Sequence, residues 1–131
     1  MQDNQDNKEV LVSVIKEIVY SIELILKRFE NIQNSDDFLA SDEGLEKLDS
    51  ISMRLIAIGE GFKQVDRLTK NKLLQKYSKI PWKQVKGIRD ILSHHYFNLD
   101  AEIIFEICKH EINDLLEVSQ VIQDDLGKLS W

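Results

Sequence analysis

Leu11, Ile15, Ile18, Ile22, Ile25, Phe29 and Ile32 follow one another at alternating steps of four and three residues. At 3.6 residues per turn that spacing places all of them on one stripe of a helix, whereas a strand, which alternates faces every second residue, scatters them. Val10, Val14, Val19 and Leu26 widen the stripe beyond the narrow seam of a free-standing coiled coil. The pattern therefore predicts a long helix from about Lys8 to Ile32 that buries its face in a bundle core or in a bundle dimer.

The rest of the chain repeats the theme. Asn34-Ser35-Asp36-Asp37 closes the first helix and can cap a short turn at Phe38-Leu39. Ser41 or Asp42 opens a second long helix, whose core face is Leu45, Leu48, Ile51, Leu55, Ile58, Phe62 and Val65. Gly59 and Gly61 lie inside it and cost about 1 kcal/mol each relative to alanine. Close approach of a neighbouring helix is the expected compensation. With no strand before them and no Gly-Lys-Ser/Thr after them, they do not form a phosphate loop.

Thr69 to Tyr77 reads as a short basic helix or turn capped by Thr69. Pro81 suits the first position of a third helix with the stripe Trp82, Val85, Ile88 and Leu92, ending near Tyr96 or Phe97. Asp100 is the expected cap of the last helix, along which Ile104, Ile107, Cys108, Ile112, Leu115, Val118 and Ile122 run. No alternating strand pattern, linker or repeat is visible. The expected architecture is all-α: a single domain over residues 1–131, an antiparallel bundle of four main helices plus short ones, with residues 1–7 and 127–131 as flexible tails.

Cysteine and charge narrow the functional classes. The single cysteine, Cys108, has no partner for a disulfide or a metal knuckle, and its apolar neighbours make it a buried, inert thiol. No apolar signal region and no run near 18 apolar residues is present, so the expectation is a cytoplasmic protein away from the membrane. The net charge of −6 argues against a polyanion partner until its distribution is read. From Lys63 to Arg89 the chain holds nine of its 17 basic residues and one of its 23 acidic ones, +8 locally against −14 elsewhere. That asymmetry fits a polyanion surface on an acidic body, and it fits a solvated basic face equally well.

The chemistry concentrates in Arg89-Asp90-Ile91-Leu92-Ser93-His94-His95-Tyr96. On an ideal helix Tyr96 lies within about 20° of Arg89, while His94 is turned about 140° away. For the two to act together, the helix end must distort or a second copy must supply the missing half. Asp90 can orient Arg89 or a histidine, or form an ordinary surface ion pair. His110, between Lys109 and Glu111, reads as solvated, and Glu60 as a buried partner for a basic group.

Arg89-(four residues)-His94-His95-Tyr96 resembles the Arg-x4-His-x-Tyr signature of HepT-type toxins of the HEPN superfamily. Ile58-Gly59-Glu60-Gly61, Ile80-Pro81-Trp82, Gly87-Ile88-Arg89 and Tyr96-Phe97-Asn98-Leu99-Asp100 match further segments of that family in order. Gly61 stands where alanine is expected and Asp90 where asparagine is commoner; neither change removes a catalytic group. The resemblance implies a HEPN-like helical homodimer with metal-independent ribonuclease activity and no cofactor. It also implies a partner antitoxin of the minimal nucleotidyltransferase type that transfers AMP to the motif tyrosine. Carried over by position, Arg89 and His94 are catalytic and Tyr96 is the modified residue; Asp90 and His95, beside them in sequence, are supporting candidates. His95 alone would satisfy an Arg-x5-His spacing, but His94 keeps His-x-Tyr intact.

The chemistry is consistent with those roles. RNA carries its own nucleophile, the 2′-hydroxyl, so a histidine to move protons and an arginine to hold the phosphate suffice without a metal. One histidine per chain becomes an acid and a base when a symmetric dimer brings two pairs to one cleft. Lys83 and Lys86 are the expected RNA-backbone contacts. The competing class is a non-enzymatic partner that presents a surface to a nucleotidyltransferase; a third is a structural helical dimer with an incidental polar motif.

Overall fold

The computed structural model describes residues 2–94 and 97–128, with the backbone alone for residues 2–5 and 97–100. Six α-helices follow in order: α1 (Gln2–Phe29), α2 (Asp42–Thr69), α3 (Trp82–Lys86), α4 (Ile88–Ser93), α5 (Phe97–His110) and α6 (Ile112–Lys128). Two 3₁₀ turns, Ser35–Phe38 and Leu74–Lys76, lie in the connections. Among the described residues there is no strand, and the all-α expectation holds.

The apolar stripe of α1 is the spine of the core. Leu11, Ile15, Ile18, Ile22 and Ile25 are all buried, and α1 packs on both α2 and α6. Ile18 of α1 meets Gly61 of α2, while Ser21 accepts a hydrogen bond from Arg54 at 3.3 Å. Moving up one helix thus moves down the other, so α1 and α2 are antiparallel. The helix ends at Phe29, earlier than the Ile32 of the pattern. Its last residues are replaced by a turn in which the Ile32 N–H donates to the Phe29 carbonyl at 2.9 Å. Ile32 stays buried without being helical, which is why periodicity alone overran the end.

Capping residues act where the sequence placed them. Asn34 and Asp37 form a reciprocal capping box, with Asp37 N–H donating to Asn34 Oδ1 at 3.1 Å. Ser41 caps α2 by accepting from Gly44 N–H at 3.0 Å. Thr69 caps the following turn, its hydroxyl accepting from Leu73 N–H at 3.3 Å, without opening an α-helix. It is the last residue of α2, which is closed by Lys70 and Asn71 in the left-handed region at φ 54° and 62°.

The two mid-helix glycines earn their place by contact. A Cβ on Gly59 would stand 2.7 Å from the Val85 carbonyl of α3, and one on Gly61 would stand 3.0 Å from the Ile18 side chain of α1. Helix α2 therefore meets the α3 backbone at Gly59 and an α1 side chain at Gly61, with residue 60 between the two contacts.

Two expected helices are broken. The run from Trp82 divides at Gly87 (φ −92°, ψ 7°) into α3 and α4, and α4 ends at Ser93 instead of reaching Tyr96. The final helix begins at Phe97, so Asp100 lies inside it and is not its cap, and it is interrupted at Glu111 before α6. The third main helix of the expected bundle is thus a pair of short segments. Pro81 precedes α3 as its cap position, its carbonyl accepting from Gln84 and Val85 N–H at 3.0 and 3.1 Å. Trp82 anchors the segment through its ring against Phe62 at 4.8 Å and its Nε1–H on the Tyr77 carbonyl at 2.8 Å. The amino terminus is helical from Gln2 and α6 continues to Lys128; Trp131 lies outside the described residues.

Candidate active site

Helix α4 carries the motif. Ile88 and Leu92 face the core and are buried, which turns Arg89, Asp90 and Ser93 outward. The Ser93 hydroxyl donates to the Asp90 carbonyl at 3.1 Å and tightens the helix end. His94 then leaves the helix as its C-cap at φ −93°, ψ 1°, exposed. The helical wheel ceases to apply at His94 itself, because the helix stops there.

Arg89 has a carboxylate partner from another element. Its Nη1 lies 3.2 Å from Glu60 Oε1 on α2, and the other oxygen of that carboxylate, Oε2, lies 3.0 Å from Lys63 Nζ. All three groups are open to water, with side-chain exposures of 65% for Arg89, 39% for Glu60 and 40% for Lys63. The hydrogen bond from Lys63 and then that from Arg89 hold the Glu60 carboxyl below its ordinary range. Glu60 is therefore an ionised bridge between two cations, exposed rather than buried. The sequence indicated a basic partner for Glu60; what it could not show was which one, since 29 residues separate it from Arg89.

Asp90, the adjacent acid, is exposed, and the recorded carboxylate partner of Arg89 is Glu60. His95 and Tyr96 lie outside the described residues. Lys83 is exposed on α3, whereas Lys86 is hydrogen-bonded to Asp66, a largely buried carboxylate at the end of α2. Lys79 pairs with Asp114 at 3.4 Å and Glu117 at 3.6 Å, which hold its ammonium pKa up. Of the basic segment, Lys63, Lys79, Lys86 and Arg89 thus meet four acids, two of them supplied by α2 and two by α6. Arg67, Lys70, Lys72, Lys76 and Lys83 remain on the surface.

Two hollows flank the site. An apolar cavity of about 410 Å³ lies behind α4, lined by Ile58, Val85, Ile88, Ile107 and Leu115 among others; neither Arg89 nor His94 reaches it. A groove of about 510 Å³ follows the α1–α2 seam, its mixed walls including Val14, Ile18, Glu17, Glu60, Arg54 and Arg67. Cys108 is buried, and burial pushes its thiol up to about 12, which removes it as a nucleophile. His110 is exposed and lies 3.3 Å from Glu106. No group of three or more potential ligands is gathered in a metal-binding arrangement among the described residues.

The family model described as Ribonuclease HepT-like matches residues 18–122. The chain belongs to the HepT-like ribonuclease family. The matched span includes all of α2, α3 and α4, hence Glu60, Lys63, Arg89 and His94. A protein of Methanocaldococcus jannaschii named "Putative RNase MJ0127" is 34% identical over 101 residues, 76% of this chain and 78% of that protein. "Putative RNase TTE0752" of Caldanaerobacter subterraneus subsp. tengcongensis is 30% identical over 112 residues, 85% of this chain and 93% of its own length. A third relative from M. jannaschii, "Gamma-glutamylcyclotransferase and putative RNase MJ0434", is 33% identical over 114 residues. Those residues are 87% of this chain but 48% of that protein. No solved structure matches the chain. In this HepT-like chain no described helix is long and apolar enough to cross a membrane.

Proposed function

We propose that this HepT-like chain is the ribonuclease toxin of a two-gene module, cutting RNA by attack of the 2′-hydroxyl without a metal. The observation that carries the reading is the exposed presentation of Arg89 and His94 on one six-residue helix and its cap, held by a buried Ile88/Leu92 face. The Arg89 guanidinium binds the non-bridging oxygens of the scissile phosphate and offsets charge as the phosphorus becomes five-coordinate. One His94 takes the 2′-hydroxyl proton as the 2′-oxygen bonds to phosphorus. The bond from phosphorus to the 5′-oxygen breaks, and the His94 of a second copy protonates that leaving oxygen. The products are a 2′,3′-cyclic phosphate and a 5′-hydroxyl. The homodimer follows from this need for a base and an acid where each chain brings one motif histidine.

Silencing in this reading is AMP transfer to Tyr96 by a cognate minimal nucleotidyltransferase. The tyrosine oxygen attacks the α-phosphorus of ATP and pyrophosphate leaves. The new phosphodiester is anionic and two residues from His94 in sequence, so Arg89 pairs with it and the RNA backbone is excluded by charge and volume.

The deciding experiment is cleavage of total RNA by the purified chain in EDTA. Wild type leaves 2′,3′-cyclic phosphate ends. Arg89→Ala and His94→Ala lose about 10²–10⁴-fold in rate while keeping the helical circular-dichroism spectrum. Wild-type rates in either variant, a strict metal requirement, or 5′-phosphate products refute the mechanism. Total loss of cleavage by wild type favours the non-enzymatic partner.

A further inference from the structure

Glu60 joins two cations that nothing in the motif connects. Arg89 comes from α4 and Lys63 from α2, and a single carboxylate binds one with each oxygen, at 3.2 and 3.0 Å. A carboxylate with two anionic oxygens, each on its own cation, has the same donor demand as the two non-bridging oxygens of a phosphodiester. We propose that Glu60 occupies the phosphate seat of the free protein, that Lys63 is a second phosphate-binding residue there, and that RNA binds by displacing the Glu60 carboxylate. This rests on the ribonuclease reading above and adds a binding residue and an internal competitor to it.

Three observations support displacement. Lys63, Glu60 and Arg89 are each more than a third exposed, so water and substrate reach the pair, and ion pairs in that setting are weak. The carboxyl of Glu60 is held below its ordinary range, so it is ionised and competing throughout the neutral range. The seat also opens onto the α1–α2 groove, since Glu60 is one of its walls together with Arg54, Arg67 and the acid Glu17. A strand leaving the seat along that groove meets two further cations, Arg54 and Arg67, and one acid, Glu17.

The alternative role for Glu60 is to position Arg89, and the two roles predict opposite signs. If Glu60 positions the arginine, neutralising it weakens RNA binding. If it competes, neutralising it tightens binding. The probe is a short single-stranded RNA with 2′-O-methyl sugars, which binds without being cut, followed by fluorescence anisotropy. Glu60→Gln should bind about fivefold more tightly than wild type, the size expected for removing one like charge at contact range in water. Lys63→Ala should bind more weakly and lower the log–log salt slope by about 0.7, the value of one single-strand phosphate contact. Lys63→Arg should restore both. The gain from Glu60→Gln should shrink when Lys63 is already alanine, because the two act on one seat.

Weaker binding by Glu60→Gln, or an unchanged salt slope in Lys63→Ala, overturns the inference. Cleavage of all-ribose RNA by wild type, run beside it, separates the two levels. Cleavage with no tightening by Glu60→Gln sinks the phosphate seat alone, whereas a wild type that neither binds nor cuts RNA sinks the ribonuclease reading with it.

Discussion

Replacing Gly59 with alanine tests whether the packing of α2 on α3 positions the motif. The added methyl would stand 2.7 Å from the Val85 carbonyl and 3.0 Å from an Ile88 methyl. The first obstacle is backbone, so relief requires α3 to move. Alanine gains about 1 kcal/mol of helix propensity at either glycine, and overpacking of this kind costs about 1–3 kcal/mol. The net expectation for Gly59→Ala is a loss of up to about 2 kcal/mol. Gly61→Ala is the control, because its obstacle is the Ile18 side chain at 3.0 Å, which can rotate or shift. There the propensity gain is largely kept. For 131 residues an unfolding entropy of about 2.1 cal/mol/K per residue makes 1 kcal/mol worth about 4 °C in Tm. Gly59→Ala should therefore melt up to about 8 °C lower, and Gly61→Ala at the wild-type temperature or up to about 4 °C higher. The assay is circular-dichroism melting at one fixed protein concentration, with RNA cleavage measured well below both transitions. Gly59→Ala should also lose cleavage, because α4 with Arg89 follows α3 directly. Equal shifts in the same direction for both variants, or a stabilised Gly59→Ala, refute the close-approach argument.

Lys83→Glu should weaken RNA binding with no change in Tm, since its side chain is exposed; binding unaffected by that reversal shows a solvated face. Lys86→Glu should instead cost about 1–3 kcal/mol in melting, because it removes the partner of the largely buried Asp66; a normal melt contradicts the pairing. Cys108 should resist alkylation by iodoacetamide in the folded chain and react on unfolding, read by intact mass. Tyr77 donates to Asp125 at 2.6 Å, and burial, then that carboxylate, pushes its hydroxyl up to about 12. Because Tyr77 and Cys108 hold protons more tightly folded than unfolded, their stability contribution is complete below the unfolded values of 10.0 and 9.0 respectively and is lost as pH rises toward 12. Tm should fall across that alkaline window, less steeply in Tyr77→Phe; a flat profile refutes it.

Much of the fold was legible because local signals agreed with global packing. The step-four, step-three stripe of α1, the Asn34 and Ser41 caps, and the glycines awaiting a close neighbour all appear in the structure as read. What was not legible were helix breaks. Periodicity reports which residues face the core and is blind to where the backbone stops. Ile32 is buried beyond the end of α1, and Val85 and Ile88 keep one apolar stripe across the Gly87 break. Glycine at position 87 is the one local signal of that break, and it also belongs to the Gly87-Ile88-Arg89 segment of the motif.

For the candidate site, what the sequence could not show were the partners. The motif offers Arg89 and His94 as candidates, but the group that answers Arg89 comes from α2, as no one-dimensional reading of charge can show. The same blindness affected the basic segment. Its excess of +8 is real in sequence, yet Asp66 answers Lys86, Asp114 and Glu117 answer Lys79, and Glu60 answers Lys63 and Arg89. These pairings differ in kind. Asp66 is largely buried, so moving Lys86 away strands a carboxylate out of water and is costly. Glu60 remains hydrated when its cations leave, so Arg89 and Lys63 can exchange it for another anion. Burial of the acid, rather than the count of bases, therefore sorts the cations of this surface into those fixed by the fold and those available to a phosphate.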